Sequence, residues 1–210
     1  MTKLAVVALA GLATVASADP VSGGNGFVPG DTSVINLTDI ANVTFSRGTG
    51  NAIVTIEFTS NVDSWDLEGD PDNVVAVFDM GGPATIHGVG WDVSLQTFGA
   101  SWLSEMVVSF GEDGGIPGLY LTPGINDGFA GTGSYSSGGI VDLGDNGIPD
   151  VVMASGMMRL EFFESFDDVA DAVDGQWLAG STITLDMTIV PAPGALALLG
   201  LGGLAIRRRR

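Results

Sequence analysis

The stretch Gly88–Gly111, GVGWDVSLQTFGASWLSEMVVSFG, decides the fold class. Apolar residues occupy every second position in its first half: Val89, Trp91, Val93 and Leu95. After a turn-rich break, the alternation returns at Met106, Val108 and Phe110. Because successive side chains of a strand point to opposite faces, this period of two predicts β-strands with one buried face each.

Three further stretches show the same alternation. Their apolar positions are Ala52, Val54, Ile56 and Phe58; Met158, Leu160 and Phe162; and Ile183, Leu185, Met187 and Ile189. The segments between them are rich in Gly, Asn, Asp and Pro, which favour turns. We expect about eight to ten short strands without helices between them, which predicts an all-β domain. The expected architecture is an antiparallel β-sandwich, jelly-roll-like in form.

Charge is distributed very unevenly along the 210 residues, whose formal net charge is −18. All 25 acidic residues lie between Asp19 and Asp186, and only Arg47 and Arg159 oppose them there, which gives this interior a formal charge of −23. Such a surface repels nucleic acid and anionic lipid, so neither is an expected partner. The chain has no cysteine, which excludes thiol chemistry and disulfides.

The N-terminus has the pattern of a secretion signal. Lys3 precedes an apolar run, Leu4 to Leu12, and Ala16-Ser17-Ala18 then provides the small residues that a signal peptidase accepts. This predicts a helical signal peptide over residues 1–18, with cleavage between Ala18 and Asp19. A buried first helix is the alternative. The mature domain is then expected to cover residues 19–189.

The last 21 residues, 190–210, divide into three parts. The first is a proline-bracketed motif that cannot continue a strand or a helix: Val190, Pro191, Ala192 and Pro193, followed by Gly194. The second, 194–206, is an uncharged apolar segment of 13 residues that we expect to form a C-terminal hydrophobic helix, short of the roughly 20 residues that a full membrane span needs. The third is a basic cluster that favours retention on the cytoplasmic side: Arg207, Arg208, Arg209 and Arg210.

Together these three parts resemble the tripartite PEP-CTERM sorting signal. The resemblance implies that an exosortase, a membrane transpeptidase, cuts near the Pro-x-Pro element and delivers the protein to the cell surface or the extracellular matrix. It also implies a bacterium that makes extracellular polysaccharide, and a transient stop in the cytoplasmic membrane. Ala192 stands where that family has Glu. An uncleaved tail anchor and a plain apolar tail are the alternatives.

The catalytic inventory is poor, and we expect no enzyme and no catalytic residue. His87 is the only histidine and lies inside a strand pattern, so a structural role is expected for it. The remaining enzyme hypothesis is a glycosidase-like hydrolase, which needs two carboxylates across a cleft. Its candidate carboxylates and neighbouring aromatic residues are Glu105, Glu161 and Glu164, with Trp102, Phe162 and Phe163.

The segment Asp142–Asp150, DLGDNGIPD, is the candidate metal site. It is similar to the calcium loops of EF-hand-like and thrombospondin-type repeats, and by position Asp142, Asn146 and Asp150 would be the oxygen ligands. Gly144 occupies a ligand position and Met153 stands where an EF-hand has its bidentate Glu. A plain Asx-rich turn is therefore the simpler interpretation, and a weak structural calcium ion is the only cofactor considered.

The expected function is structural or adhesive, at the cell surface or in a polysaccharide matrix. Signal peptidase, exosortase and extracellular polysaccharide are the partners that this function implies. The alternative is a carbohydrate- or calcium-binding module. That alternative predicts aromatic side chains along one concave face, with four candidates: Trp65, Trp102, Trp177 and Tyr120.

Overall fold

A computed structural model describes residues 6–7, 34–47, 51–168 and 172–190. The predicted signal cleavage site, Ala16 to Asp19, and the tail from Pro191 to Arg210 lie outside the described residues. In the described part of the chain, no helix is both long and apolar enough to cross a membrane.

Strands dominate the described residues, and the two short 3₁₀ turns are Leu37–Asp39 and Gly144–Asn146. The strands are β1 Val6–Val7, β2 Ile35–Asn36, β3 Ala41–Arg47, β4 Ala52–Phe58, β5 Val62–Ser64, β6 Val74–Asp79, β7 Ala84–Thr97, β8 Met106–Glu112, β9 Leu119–Leu121, β10 Thr132–Ser136, β11 Val141–Asp142, β12 Val151–Met153, β13 Met157–Glu164, β14 Gly175–Trp177 and β15 Thr182–Ile189.

These strands form two sheets. One has six strands in the order β1-β9-β8-β13-β6-β2, and the other has nine, with β3-β4-β15-β7-β14-β5 as its main path. The long strand β7 organises the second sheet: β15 and β14 pair with it, and the short strands β10, β11 and β12 pair with it as well. Gly90 in β7 is required there, because a Cβ atom would lie 2.8 Å from the carbonyl oxygen of Gly139.

The predicted antiparallel β-sandwich is confirmed. Consecutive strands β5, β6, β7 and β8 lie alternately in the two sheets, so the chain crosses the sandwich repeatedly, as in a jelly roll. Parallel pairing occurs in the described residues between β2 and β6, where Ile35 lies opposite Ala76. The structure has more strands than the sequence predicts, because several pairings of two or three residues lie in segments that read as turns.

The alternating residues fill the space between the sheets. Of the five predicted apolar faces, only the end residues Ala52 and Ile189 are partly exposed, and every other member is buried. Three aromatic rings join the two sheets at the centre: Phe162 from β13 packs edge-on against Trp177 and Phe58, with ring centroids 5.7 and 5.6 Å apart. Edge-to-face packing of this kind stabilises a core beyond its buried area.

At Val6–Val7 the structure has a short strand where the sequence predicts a signal helix. Val6 lies opposite Leu121 and Val7 opposite Tyr120, at the open edge of β9. Two β-branched residues suit a strand better than a helix, and an unpaired edge offers them hydrogen bonds. The other residues of the predicted signal segment lie outside the described part of the chain.

Candidate functional site

Acidic residues gather at one end of the sandwich, where strands of both sheets meet. Main-chain hydrogen bonds fix this end: Glu164 N donates to Asp66 O at 3.0 Å, and Asp174 N donates to Ser64 O at 3.0 Å. Ser165 N donates to Glu105 O at 2.8 Å. Seven acidic residues interact here, and we call them the carboxylate cluster: Asp66, Asp70, Glu105, Glu164, Asp167, Asp168 and Asp174.

Glu164 is the most unusual member of the carboxylate cluster. Its exposed fraction is 0%, and neither of its carboxylate oxygens has a hydrogen-bond partner. A Cβ atom on Gly175 would lie 3.0 Å from Glu164 Oε1 and 2.9 Å from the side chain of Met106, so the carboxylate is tightly enclosed. A buried, unsatisfied carboxylate is strongly unfavourable unless it is neutral or bound to a cation.

Burial is the largest cause of the raised pKa of Glu164, which is about 8. The nearby Ser64 hydroxyl lowers this pKa, although it makes no hydrogen bond of good geometry to the carboxylate, and Ser64 Oγ itself has no partner. The negative charges of Asp174, Glu105 and Asp168 raise the pKa of Glu164 further. The Glu164 carboxyl is therefore held protonated at neutral pH in the absence of a cation.

The pKa values of Asp66 and Glu105 are also raised, mainly by burial and by neighbouring negative charges. Burial, followed by the charges of Asp167 and Asp70, raises the pKa of Asp66 to about 7, and Asp66 Oδ1 is buried without a partner. Burial also raises the pKa of Glu105, against the hydrogen bond that Glu105 Oε2 accepts from Trp102 N at 2.6 Å. Repulsion between carboxylates thus acts across the whole cluster.

No basic residue is among the groups that shift the pKa of Asp66, Glu105 or Glu164. Arg159, one of the two arginines within residues 19–189, pairs instead with Glu161 at 2.7 Å. The cluster therefore carries a concentration of negative charge that these described contacts do not neutralise.

The alternation of buried residues in β13 is enough to predict from the sequence that the Glu164 side chain is buried. Met158, Leu160 and Phe162 alternate on the buried face of β13, and Glu164 has the same parity. An acidic residue in register with three core residues is directed into the core. Ser64 stands in the same relation to the buried Val62 in β5.

The other glycosidase candidates lie in a different environment. Glu161 is 2% exposed, and its carboxylate accepts from Gly69 N at 2.6 Å and from Arg159 Nη2 at 2.7 Å. Asn73 Nδ2 donates to it as well, at 3.3 Å. These contacts make Glu161 a structural anchor for the turn at residues 67–73. Phe162 and Phe163 are buried, so neither ring offers a face to a sugar.

The four aromatic candidates do not line one exposed face, which argues against that form of the carbohydrate-binding hypothesis. Trp177 and Trp65 are buried, and Tyr120 is half-buried with its hydroxyl bonded to Glu68. Trp102 is 49% exposed and lies beside the carboxylate cluster through its bond to Glu105. An aromatic residue at an inward-facing position of a strand packs into the core, as Trp177 does, and is then not exposed for binding a sugar.

The carboxylates of the Asp142–Asp150 loop have different hydrogen-bond partners in the structure. Asp142 Oδ1 accepts from Asp145 N at 2.8 Å and Asn146 Nδ2 donates to Asp142 O at 2.8 Å, which is an Asx-type turn. Asp150 Oδ2 lies 2.8 Å from His87 Nδ1 instead. Among all the described residues, no three His, Cys, Asp or Glu side chains are already arranged to hold a metal ion. Calcium binding by this loop stays a prediction.

His87 joins three parts of the structure. It occupies a β-bulge of β7, opposite the step from Asp186 to Met187 in β15. Its two ring nitrogens contact Asp150 Oδ2 and Thr188 Oγ1, each at 2.8 Å. With both nitrogens engaged, the ring fastens the loop that ends at Asp150 to the central sheet, in line with the structural role expected from the sequence.

Of the predicted sorting residues, Val190 lies within the described chain. It follows the end of β15 directly, is 55% exposed, and its N–H donates to Pro83 O at 2.8 Å. Pro191, Ala192, Pro193, Gly194 and the four arginines lie outside the described residues.

Comparison with known proteins adds little to this picture. No model of a known protein family and no curated protein matches the chain. Among solved structures, a chain of an IBDV viral particle is 13% identical with a TM-score of 0.34, covering 80% of this chain and 35% of its own length. A chain of infectious bursal disease virus strain Gx is 14% identical with a TM-score of 0.35, covering 84% and 39%. This chain therefore spans about two fifths or less of either, and overlaps at these TM-scores carry no argument about function.

Proposed function

We propose that this chain is an exported surface or matrix protein, an acidic β-sandwich that an exosortase sorts through its C-terminal tail. The observation that carries the proposal is the position of the domain end. β15 stops at Ile189, and the exposed Val190 begins the Val-Pro-Ala-Pro motif. Because the motif begins directly after the folded sheet, its cleavage by a membrane enzyme would not require the domain to unfold.

The attachment of the tail also suits a displayed protein. β15 lies inside its sheet, with β4 on one side and β7 on the other. A pull on the tail therefore acts on a strand that is hydrogen-bonded along both edges, and not on a strand at the edge of the sheet. The acidic surface supports the proposal as well, because high net negative charge keeps an exported domain soluble.

The sorting proposal predicts that the terminal arginines control processing. Replacing Arg207 to Arg210 together with glutamine is expected to leave the protein unprocessed or mislocalised in an exosortase-expressing bacterium, because the basic stop is lost. Replacing the same four residues with lysine is the matched control, since it keeps the charge. Immunoblotting of cell fractions and the mass of the mature protein measure the effect. An unchanged mass and location in the glutamine variant would contradict the proposal.

A further inference from the structure

We propose that the carboxylate cluster is a calcium-binding site, with Glu164 as its buried ligand and Glu105 as a second one. This site is distinct from the Asp142–Asp150 loop, and it does not depend on the sorting proposal. The primary observation is geometric: Glu164 is 0% exposed, both of its oxygens are unpartnered, and it faces a group of acidic residues. Glu105 is among the charges that act on Glu164, and its main-chain oxygen accepts from Ser165 N, the residue after Glu164, at 2.8 Å.

The chemistry of the site favours calcium among the common cations. Its side-chain donors are all carboxylate oxygens, which hard divalent cations prefer to nitrogen or sulfur donors. They come from four chain segments around residues 66, 105, 164 and 174, an irregular arrangement. Calcium accepts six to eight oxygens in flexible geometry, whereas magnesium demands a near-ideal octahedron.

Binding requires a local rearrangement. The described carboxylates do not yet enclose an ion, so a cation has to draw Glu105 toward the buried Glu164. The Glu105 carboxylate accepts from Trp102 N at 2.6 Å and interacts with the Asp168 side chain. Glu164 cannot move as far, because Gly175 and Met106 enclose it. The mobile members would therefore close over a fixed ligand.

Closure also has a reason to be favourable. Without a cation, the site combines a buried unsatisfied carboxylate with mutual repulsion among its neighbours, and both effects oppose the folded state. One divalent ion would bind the Glu164 carboxylate and would also screen the repulsion among the neighbouring carboxylates. The bound protein is therefore expected to be more stable than the calcium-free protein, and the stabilisation should grow with the logarithm of the calcium concentration once this exceeds the dissociation constant.

Calorimetric titration of calcium chloride into the chelator-treated full-length protein tests the proposal. We expect binding of one ion with a dissociation constant of roughly 10⁻⁵ to 10⁻³ M, the range from sensor to extracellular sites. Glu164→Gln, which keeps the shape and removes the charge, is expected to weaken binding at least tenfold. Glu57→Gln, an exposed carboxylate of β4, is the matched control and should bind like the unchanged protein.

Two further variants keep the result decisive. Glu105→Gln is expected to weaken binding as well, and it answers the question if Glu164→Gln does not fold, which circular dichroism reports. Asp142→Asn removes a carboxylate of the other candidate loop and should leave the heat unchanged. Loss of the heat in Asp142→Asn with retention in Glu164→Gln would overturn the proposal. So would the absence of heat at millimolar calcium in the unchanged protein.

Terbium, a luminescent substitute for calcium, reports where the ion binds, because its sensitised emission requires a nearby tryptophan. The main-chain N–H of Trp102 donates to Glu105, which places this residue beside the cluster, so excitation of tryptophan is expected to sensitise a terbium ion bound there. The emission should rise on addition of terbium, fall when calcium competes, and be lost in Glu164→Gln. Emission that persists in Glu164→Gln would place the ion elsewhere and contradict the assignment.

Discussion

Between pH 5 and pH 8, in the presence of a calcium chelator, the protein is expected to become less stable as the pH rises, and the loss should level off above pH 8. The folded-state pKa is about 8 for Glu164 and about 7 for Asp66, well above their ordinary values of 4.5 and 3.8. A raised pKa means that the folded state holds protons that the unfolded state has released. The stabilisation is therefore complete below the ordinary pKa and is lost as the pH passes the folded-state value.

The proton that Glu164 retains gives a slope of about 1.4 kcal/mol for each pH unit, which ends as the pH passes about 8. Denaturant unfolding at pH 6, 7, 8 and 9 measures the slope through the free energy of unfolding. Glu164→Gln imitates the protonated form, so its stability should change much less with pH and should exceed that of the unchanged protein at pH 9. Glu57→Gln should keep the full slope. A flat profile, or the same slope in Glu164→Gln, would show that Glu164 does not carry the effect.

Replacing Trp177 with alanine is expected to lower the free energy of unfolding by about 3–5 kcal/mol. The side chain is fully buried in the nine-stranded sheet and packs edge-on against Phe162 of the other sheet and Phe58 of its own. Its removal leaves a cavity at the point where the two sheets contact each other. Equilibrium unfolding in urea measures the loss.

Trp177→Phe distinguishes the stabilisation by the buried aromatic ring from the cost of the unsatisfied indole N–H. Trp177 Nε1 is buried and has no hydrogen-bond partner among the described residues, so phenylalanine keeps a ring and removes an unsatisfied donor. We expect Trp177→Phe to cost less than about 1.5 kcal/mol. Trp102→Ala, at a half-exposed tryptophan outside the core, is the control and should cost less than either core loss. If Trp177→Ala unfolds at the same urea concentration as the unchanged protein, this junction does not hold the sheets together.

The strands were predictable because alternation is a local signal. Val54, Ile56 and Phe58 reveal one buried face within seven residues, and the structure buries all three. Short pairings such as β11 and β12 were not predictable, since two or three residues cannot display a period. Their strand character comes from β7, which offers them a neighbouring strand.

The carboxylate cluster was only partly predictable. Glu105 and Glu164 were candidates from the sequence, as carboxylates beside strands, but nothing local says that they meet Asp66 and Asp174 at one end of the sandwich. Their proximity depends on which strands end together, and that is a property of the tertiary fold. Asp150 shows the converse case: the loop pattern suggests a calcium ligand, whereas the fold brings His87 to within 2.8 Å of it.

We propose different tasks for the two parts of the molecule. The sandwich is the acidic domain to be displayed, and the calcium site proposed in its carboxylate cluster would raise its stability where calcium is abundant. The tail that follows Ile189 is proposed to carry the address. The sorting claim is central, because it decides where the domain acts and whether its cluster meets extracellular calcium.

Mass spectrometry of the protein isolated from the surface of the cells that make it tests that claim most directly. The account predicts an N-terminus at Asp19 and a C-terminus within or next to the motif from Val190 to Gly194, with the arginines absent. A surface protein that still carries both Met1 and Arg210 would contradict it.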